Sequence, residues 1–260
     1  MSDQDNILLS IIIINWNSRA YLAACLKTVF EDRVDFPMEV LVIDNASYDG
    51  SEAMVAEAFP AVRFIQSEEN LGFARANNRA AEQARGEFLF FLNPDTEVYP
   101  GALQRLCDTL GALPGAGILG GKLRNSDGSI QTTSTHAFPT LLNQALDIEF
   151  LRKRFSHWKL FGIRWLFEEQ HEARPVEVIS GADLMIRREV FHEVGGFSTD
   201  YFMYAEDFDL CYKVHQAGYG VFYEGRAEIK HHGGGSANTS DVSFFSAVMT
   251  RESVNKFIRR

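Results

Sequence analysis

The sequence predicts an α/β protein whose central sheet is doubly wound and mostly parallel. Its first half alternates short apolar runs, rich in β-branched and aromatic residues, with segments of helical periodicity. The apolar runs are Leu8–Ile14, Val40–Ile43, Val62–Ile65, Phe88–Leu92 and Gly117–Leu119. The helical segments are Tyr21–Phe30, Ser51–Phe59, Phe73–Arg85 and Gly101–Leu110. Strands that are apolar throughout are typical of parallel sheets covered on both faces, and the alternation predicts right-handed crossovers.

The second half of the chain has a different pattern. Its predicted elements are strands within Val176–Arg187, a turn at Gly195–Phe197, a helix over Glu206–Gln216 and short strands near Val221 and Ile229. No linker composition separates the two halves. We therefore expect one domain over residues 1–260, with halves at 1–121 and 122–260 and a helical insertion over 138–174.

Composition limits the class of protein. The chain has 260 residues, 46% of them hydrophobic and 23% charged, which is typical of a globular protein. A formal net charge of −10 disfavours nucleic acid as a main partner, because phosphate backbones are bound by basic surfaces. The three cysteines stand far apart, so neither a disulfide framework nor a zinc site is predicted.

The N-terminal region indicates the cellular compartment of the protein. The longest apolar run, Ile7–Ile14, is too short to span a membrane. Asp3 and Asp5 stand where a secretory signal peptide would carry lysine or arginine. We therefore expect a cytoplasmic protein.

Polar turn residues follow each of the first four predicted strands. These loops are Asn15-Trp16-Asn17-Ser18, Asp44-Asn45-Ala46-Ser47, Glu69-Asn70-Leu71-Gly72 and Asn93-Pro94-Asp95. Open α/β sheets bind ligands at the carboxyl ends of their strands. The four loops are therefore expected to form one composite pocket.

Two of these loops carry carboxylates with a specific chemistry. Asp44, at the end of the second strand, is placed to contact the ribose or base of a nucleotide, or else to serve as a turn or cap residue. Asp95 offers an oxygen ligand that suits Mg²⁺ or Mn²⁺, although Asn93-Pro94-Asp95 is also good β-turn chemistry. No glycine-rich turn follows the first strand, which disfavours a nicotinamide-dependent dehydrogenase.

A second acidic group and two histidines lie in the C-terminal half. Glu206, Asp207 and Asp209 open a predicted helix, whose positive dipole end favours an ionised general base; ordinary first-turn acids are the alternative. His231 and His232 precede three glycines. A neutral imidazole there would supply a further metal ligand or contact a phosphate, unless the pair lies in a solvated loop.

A basic aromatic segment lies within the predicted insertion. Between Arg152 and Arg164 it has five basic residues and no acid, interleaved with aromatic side chains. Such a segment is typical either of a helix resting on anionic lipid headgroups or of a solvated helix with an apolar stripe facing the core.

Together, these motifs resemble family 2 glycosyltransferases of the GT-A fold, and most closely their bacterial rhamnosyltransferase-like branch. The stretches that carry the resemblance are Ser10–Asn17, Val42–Ser47, Asn70–Asn78, Leu92–Asp95, Ser180–Ala182, Gly195–Phe197, Phe202–Leu210 and His231–Ser236. They cover nearly the whole chain in the order that the family has.

The resemblance implies a nucleoside diphosphate sugar as donor, a divalent ion (Mg²⁺ or Mn²⁺) and inversion at the anomeric carbon. It assigns residues 1–121 to donor binding and residues 122–260 to the acceptor and the base. The donor site implied by the resemblance comprises Asn15, Asp44, Asn45, Asn70, Gly72, Asn93 and Asp95. Asp95 and His231 match the metal site, and Asp207 matches the catalytic base, with Glu206 as the alternative.

The sequence departs from the family pattern at two places. Asn93 replaces the first acid of the Asp-x-Asp motif, which leaves Asp95 as the main metal ligand. Ser198-Thr199 replace the Asp-Glu pair that this branch has after Gly196-Phe197.

The branch suggests dTDP-L-rhamnose as donor and a lipid-linked or cell-surface saccharide as acceptor. A polyprenyl diphosphate acceptor would give the basic aromatic segment a role at the inner face of the cell membrane. Two other functions remain open, a sugar nucleotidyltransferase and a nucleotide-sugar-binding protein without catalysis. The first would need a glycine-rich basic loop after strand one, and the second predicts a missing base or metal ligand.

Overall fold

The computed structural model describes residues 7–131, 134–136, 138, 172–201, 205–233, 252–253 and 256–258. The helices in these ranges are α1 (Arg19–Glu31), α2 (Ser51–Ala58), α3 (Gly72–Ala81), α4 (Ala102–Ala112), α5 (Arg188–Glu193) and α6 (Glu206–Gln216). The strands are β1 (Leu9–Asn15), β2 (Met38–Asp44), β3 (Arg63–Gln66), β4 (Phe88–Leu92), β5 (Thr96–Val98), β6 (Ala116–Arg124), β7 (Thr135–His136), β8 (Arg174–Pro175), β9 (Val178–Ile179), β10 (Asp183–Arg187) and β11 (Gly220–His231).

The central sheet has the order β3-β2-β1-β4-β10-β6-β11-β5, and β8 pairs with β11. Strands β3, β2, β1 and β4 are parallel, as the alternating pattern predicts. Strand β10 lies antiparallel between β4 and β6, so those two strands are not neighbours. A pattern of local alternation carries no information on this insertion, because β10 reaches its partners from the other half of the chain.

The strands predicted near Val221 and Ile229 are one strand. Strand β11 runs for 12 residues and pairs with β6 through an irregularity between Glu224 and Glu228. The polar residues Glu224 and Arg226 interrupt the apolar alternation at this point. They pair with each other at 2.8 Å within the bulged stretch, after which the strand continues.

Helices cover both faces of the sheet, as predicted. On β1, Ile11 and Ile13 pack into one apolar cluster with α1, α2 and α4. Ile12 points the other way, into a cluster with α3, α5 and α6. The strands are therefore buried from both sides, so a ligand can meet the sheet at the strand ends and their loops and not on its faces.

Cys25, Cys107 and Cys211 are buried free thiols, and burial raises their pKa values. In the parts of the chain that the structure describes, no helix combines the length and apolar character that a membrane crossing needs. Most of the helical insertion predicted over 138–174 lies outside the described residues.

Candidate functional site

The ends of four adjacent strands form the edge at which the candidate residues meet. Asn15 of β1 is in register with Asp44 of β2, and Ile13 is in register with Leu92 of β4. The Asn93 amide then donates to the Ala182 carbonyl at 3.0 Å, which joins β4 to the loop before β10. The structure thus brings loops of both halves of the chain to one edge.

Asp44 is held by several hydrogen bonds and is almost fully buried. The Asn15 amide donates to one of its carboxylate oxygens at 2.6 Å. The Ser47 backbone amide and the Gln66 side chain donate to the other oxygen at 2.7 and 2.8 Å. These donors fix the orientation of the carboxylate.

Asn15 and Gln66 both act on Asp44. Asn15 is fully buried, and its amide also donates to Ser51 at 3.1 Å. Gln66, which the sequence prediction missed, lies beside Asp44 in the register of β2 and β3. Gln66 is a polar residue at the end of β3, and the neighbouring strand β2 ends in Asp44. This pairing of two polar strand ends is the signal that would have identified Gln66.

Asn45 ties the end of β2 to the loop that precedes α3. Its side chain donates to the Gly72 carbonyl and accepts from the Leu71 amide, both at 3.4 Å. The Asn70 side chain in turn accepts from the Gly72 amide at 2.9 Å. Gly72 has φ +73°, a conformation that a Cβ atom disfavours. Asn45 and Gly72 therefore shape this loop, while Asn70 is at its exposed side.

Asn93, Asp95 and His231 converge at the end of β4. The Nε2 atom of His231 lies 3.3 Å from an Asp95 carboxylate oxygen and 3.5 Å from the Asn93 side-chain nitrogen. The His232 backbone amide donates to the Asp95 carbonyl at 2.9 Å and closes the loop. These contacts place an oxygen ligand beside an imidazole nitrogen, where the resemblance places a metal.

The donor set of Asp95 and His231 fits Mg²⁺ or Mn²⁺ when substrate supplies further ligands. These ions use one or two carboxylates together with waters and phosphate oxygens. Within the described residues, no group of three or more His, Cys, Asp and Glu side chains is close enough to form a metal site. The described residues therefore offer two of the ligands that such an ion would need.

Asp207 lies at the start of α6, beside the loop before β10. One carboxylate oxygen accepts from the Gly181 amide at 3.1 Å, and the other accepts from the Phe208 amide at 2.8 Å. Both donors stabilise the ionised form, and the positive end of the helix dipole adds to this. Ala182 follows Gly181, and its backbone carbonyl accepts from the Asn93 amide. The loop that bonds the Asp207 carboxylate is therefore also bonded to the turn that holds Asp95.

Glu206 is adjacent to Asp207 in sequence but differs in environment. Its side chain is buried, and its Oε2 atom has no hydrogen-bond partner among the described residues. Burial and the neighbouring Asp207 charge raise the pKa of Glu206 to about 8. Glu206 is therefore mostly a neutral acid at pH 7, which is unsuited to accept a proton.

Replacing Glu206 with Gln should alter how stability depends on pH. The pKa of about 8 lies above the ordinary 4.5, so the folded protein holds a proton that the unfolded chain has lost between these values. The contribution of Glu206 to the free energy of unfolding is therefore greatest below pH 4.5, and it is lost as the pH rises to about 8. The Glu206→Gln variant has no titrating group at this position. The melting temperature of the variant relative to that of the wild type should therefore rise between pH 5 and 8.5. A difference that stays constant with pH would contradict the assigned protonation.

Asp209 is separate from these two acids. It is fully buried on the far side of α6, where it accepts a hydrogen bond from Ser198 and lies 3.5 Å from the Lys213 ammonium. The Asn78 side chain bonds both backbone polar groups of Phe197, at 2.8 and 2.9 Å. Ser198 thus anchors the turn after Gly196 to α6, while Asn78 anchors it to α3.

Other predicted features lie outside the described residues. They are Phe202–Tyr204, the basic aromatic segment 152–165, and Gly234–Ser236.

Comparisons with known proteins agree with this architecture. The family profile described as Glycosyl transferase family 2 matches residues 10–195. An N-acetylglucosaminyl-diphospho-decaprenol L-rhamnosyltransferase of Mycobacterium tuberculosis is 31% identical over 225 residues, which are 81% of this chain and 72% of the relative. The low-salt glycan biosynthesis hexosyltransferase Agl10 of Haloferax volcanii is 25% identical over 79% of this chain and 61% of its own.

Solved structures show the fold. A mannosyltransferase from Pyrobaculum calidifontis, in complex with GDP-Man and Mn²⁺, has a TM-score of 0.70 at 20% identity and covers 100% of this chain. This chain spans 66% of that protein, slightly less than two thirds. TarS of S. aureus has a TM-score of 0.63 at 17% identity over 97% of this chain and 43% of its own. The fold is GT-A, and the chain belongs to glycosyl transferase family 2.

Proposed function

We propose that this glycosyltransferase is an inverting, metal-dependent enzyme that moves L-rhamnose from dTDP-L-rhamnose to a lipid-linked or cell-surface saccharide. The observation that carries the proposal is the placement of two different acidic sites on one sheet edge. One is Asp95 with His231, and the other is Asp207 with its two backbone donors. A single displacement needs one group for the leaving diphosphate and one base for the attacking hydroxyl, and these sites match those needs.

Donor binding is assigned to the β1, β2 and β3 ends. In this proposal Asp44 contacts the nucleobase, and Asn70 lies on the loop along the nucleoside. Asn15 and Asn45 act by holding Asp44 and the 70–72 loop, since both of their side chains are buried and bonded to those groups. The site is therefore formed before the donor arrives, which lowers the cost of ordering it on binding.

The chemical step is assigned to Asp207. Its carboxylate takes the proton from the acceptor hydroxyl while that oxygen forms a bond to the anomeric carbon. The bond from this carbon to the diphosphate breaks at the same time, and the proton remains on Asp207. Asp95 and His231 would hold a divalent ion whose charge stabilises the departing diphosphate. No second carboxylate is needed, because no covalent glycosyl intermediate forms.

The sugar and the acceptor rest on the mycobacterial relative. Its name describes transfer of L-rhamnose to an N-acetylglucosaminyl-diphospho-decaprenol, and this chain covers 72% of its length. We extend to this chain the sugar and a polyprenyl-diphosphate-linked saccharide as acceptor, in polysaccharide or cell-wall biosynthesis.

Contact with the inner face of the membrane is part of this proposal. It rests on sequence, in the basic aromatic segment that begins at Arg152. Anionic vesicles at low salt should sediment the protein, and neutral vesicles should not. Equal recovery in the supernatant with both vesicles would refute membrane docking without bearing on the transfer reaction.

Thermal shifts with a panel of nucleoside diphosphate sugars, each with and without Mn²⁺, test the donor assignment. A ligand that binds only the folded protein stabilises it by about 2.7 kcal/mol at 100 times its Kd, which raises the Tm by several degrees for a chain of this size. We expect a metal-dependent shift with dTDP-L-rhamnose. A shift with another sugar nucleotide would reassign the donor, and no shift with any would favour a protein without catalysis. Pyrophosphate release from a nucleoside triphosphate would instead show a nucleotidyltransferase.

A further inference from the structure

The turn after β6 brings Gln131 to His231. Ile130 forms an antiparallel bridge with Arg124, and the Gln131 amide donates to the Leu123 carbonyl at 2.9 Å. Arg124 is also in register with Lys230 of β11, the residue before His231. The Gln131 side-chain oxygen consequently lies 3.1 Å from His231 Nδ1.

The same turn holds the neighbouring histidine in a different way. His232 Nδ1 lies 2.8 Å from the Ser126 hydroxyl, and His232 Nε2 lies 2.6 Å from a Glu97 oxygen. Both ring nitrogens of His232 are therefore engaged away from Asp95. His231 differs, because its Nε2 faces Asp95 while Nδ1 faces Gln131.

This arrangement places Nε2, and not Nδ1, on the Asp95 side of the His231 ring. A neutral imidazole has one N–H, and the partner of that N–H sets which nitrogen keeps a free lone pair. The Gln131 oxygen only accepts, so it favours the tautomer that carries the proton on Nδ1. With a cation between Nε2 and Asp95, the Nε2 lone pair would then face that cation. Metal-binding histidines are commonly oriented by such a partner on the other ring nitrogen.

We propose that Gln131 is a positioning residue for the divalent ion: its amide oxygen fixes the tautomer and ring orientation of His231, so that His231 and Asp95 form a ready pair of ligands. The inference rests on the metal dependence in the proposed function. It adds to that function a residue outside the four strand-end loops, supplied by the turn at 125–131.

Mn²⁺ titrations monitored by electron paramagnetic resonance of the free ion test the inference, with the full chain saturated with dTDP or UDP. Gln131→Met removes the acceptor at similar length, and Gln131→Ala serves as a second variant. Loss of such a partner typically weakens metal affinity about 10–100-fold, and we expect this loss in both variants. Gln131→Glu keeps an acceptor oxygen and should bind Mn²⁺ within a few-fold of the wild type.

Gln104→Leu on α4 is the matched control, since the hydrogen bonds of Gln104 in the described part of the chain are with Asp35 and Asp108 and not with His231. The Mn²⁺ affinity of Gln104→Leu should equal that of the wild type. Without metal, the melting temperatures of all the variants should stay close to that of the wild type. Unchanged Mn²⁺ affinity in Gln131→Met or Gln131→Ala, or equal weakening in Gln131→Glu, overturns the inference and leaves the proposed function standing. A wild-type protein that binds no Mn²⁺ with either nucleotide removes the metal dependence itself, and the inference with it.

Discussion

Asp207→Asn should lower the rate of sugar transfer about 10²–10⁴-fold, which is the range that a positioned general base contributes. The side chain keeps its size, but the amide accepts no proton at neutral pH. The Gly181 and Phe208 amides donate to different carboxylate oxygens, so one of them would face the amide nitrogen and lose its acceptor. The loss of stability should therefore be about 1–3 kcal/mol. Single-turnover assays with donor and acceptor measure the rate directly.

The Kd of the donor distinguishes a base that acts on the acceptor from a residue of the donor site. Asp207 acts on the acceptor hydroxyl, so the Kd of the donor should stay within a few-fold of the wild type in Asp207→Asn. Asp108→Asn, an exposed acid on α4 that bonds to Gln104, controls for the loss of one charge. A large loss of donor affinity in Asp207→Asn would move this carboxylate into the donor site.

Glu206→Gln distinguishes the two neighbouring acids. Glu206 has a raised pKa of about 8 and no hydrogen-bond partner for Oε2 among the described residues, whereas Asp207 has two backbone donors. The loss of transfer at pH 7 should therefore be much smaller for Glu206→Gln than for Asp207→Asn. A larger loss in Glu206→Gln would make Glu206 the base.

The sequence predicts most of the first half of the fold because its signals are local. The run Phe88–Leu92 is apolar throughout, and β4 has these bounds. The helix Glu206–Gln216 is likewise predicted with the bounds that α6 has. The position of β10 between β4 and β6 is not local, since it pairs Asp183 with Leu92 of the other half. No periodicity in either segment reports that pairing.

The candidate site is predicted to a similar extent, for the same reason. Strand-end loops identify Asp44 and Asp95, because a turn directly follows an apolar run. Gln66 and Gln131 are missed, since each matters only through a partner that register brings close. The family resemblance places Asp207 before Glu206 as the base, but the residue pattern alone does not separate the two acids. Successive helix residues point about 100° apart, which buries the Glu206 carboxyl and leaves that of Asp207 at the edge.

Asp95→Ala should remove the metal dependence of donor binding and lower transfer by about 10²–10³-fold. The carboxylate is the main oxygen ligand that the chain offers at this edge, and charge stabilisation by a metal is worth several kcal/mol in the transition state. His231 alone would leave a single nitrogen ligand, which Mg²⁺ and Mn²⁺ do not favour over water. Donor titrations with and without Mn²⁺ measure the change.

Asn93→Asp adds a carboxylate at this edge, whereas Asp95→Ala removes one. The two variants together test Asp95 as a metal ligand. The Asn93 nitrogen lies 3.5 Å from His231 Nε2, so a carboxylate at this position would face the same point as Asp95. If a divalent ion binds there, Mn²⁺ affinity should rise in Asn93→Asp and fall in Asp95→Ala. A metal dependence of donor binding that Asp95→Ala leaves unchanged would exclude Asp95 as a ligand. Weaker Mn²⁺ binding in both variants would instead mean that Asn93 serves through its amide, by orienting His231 or the diphosphate.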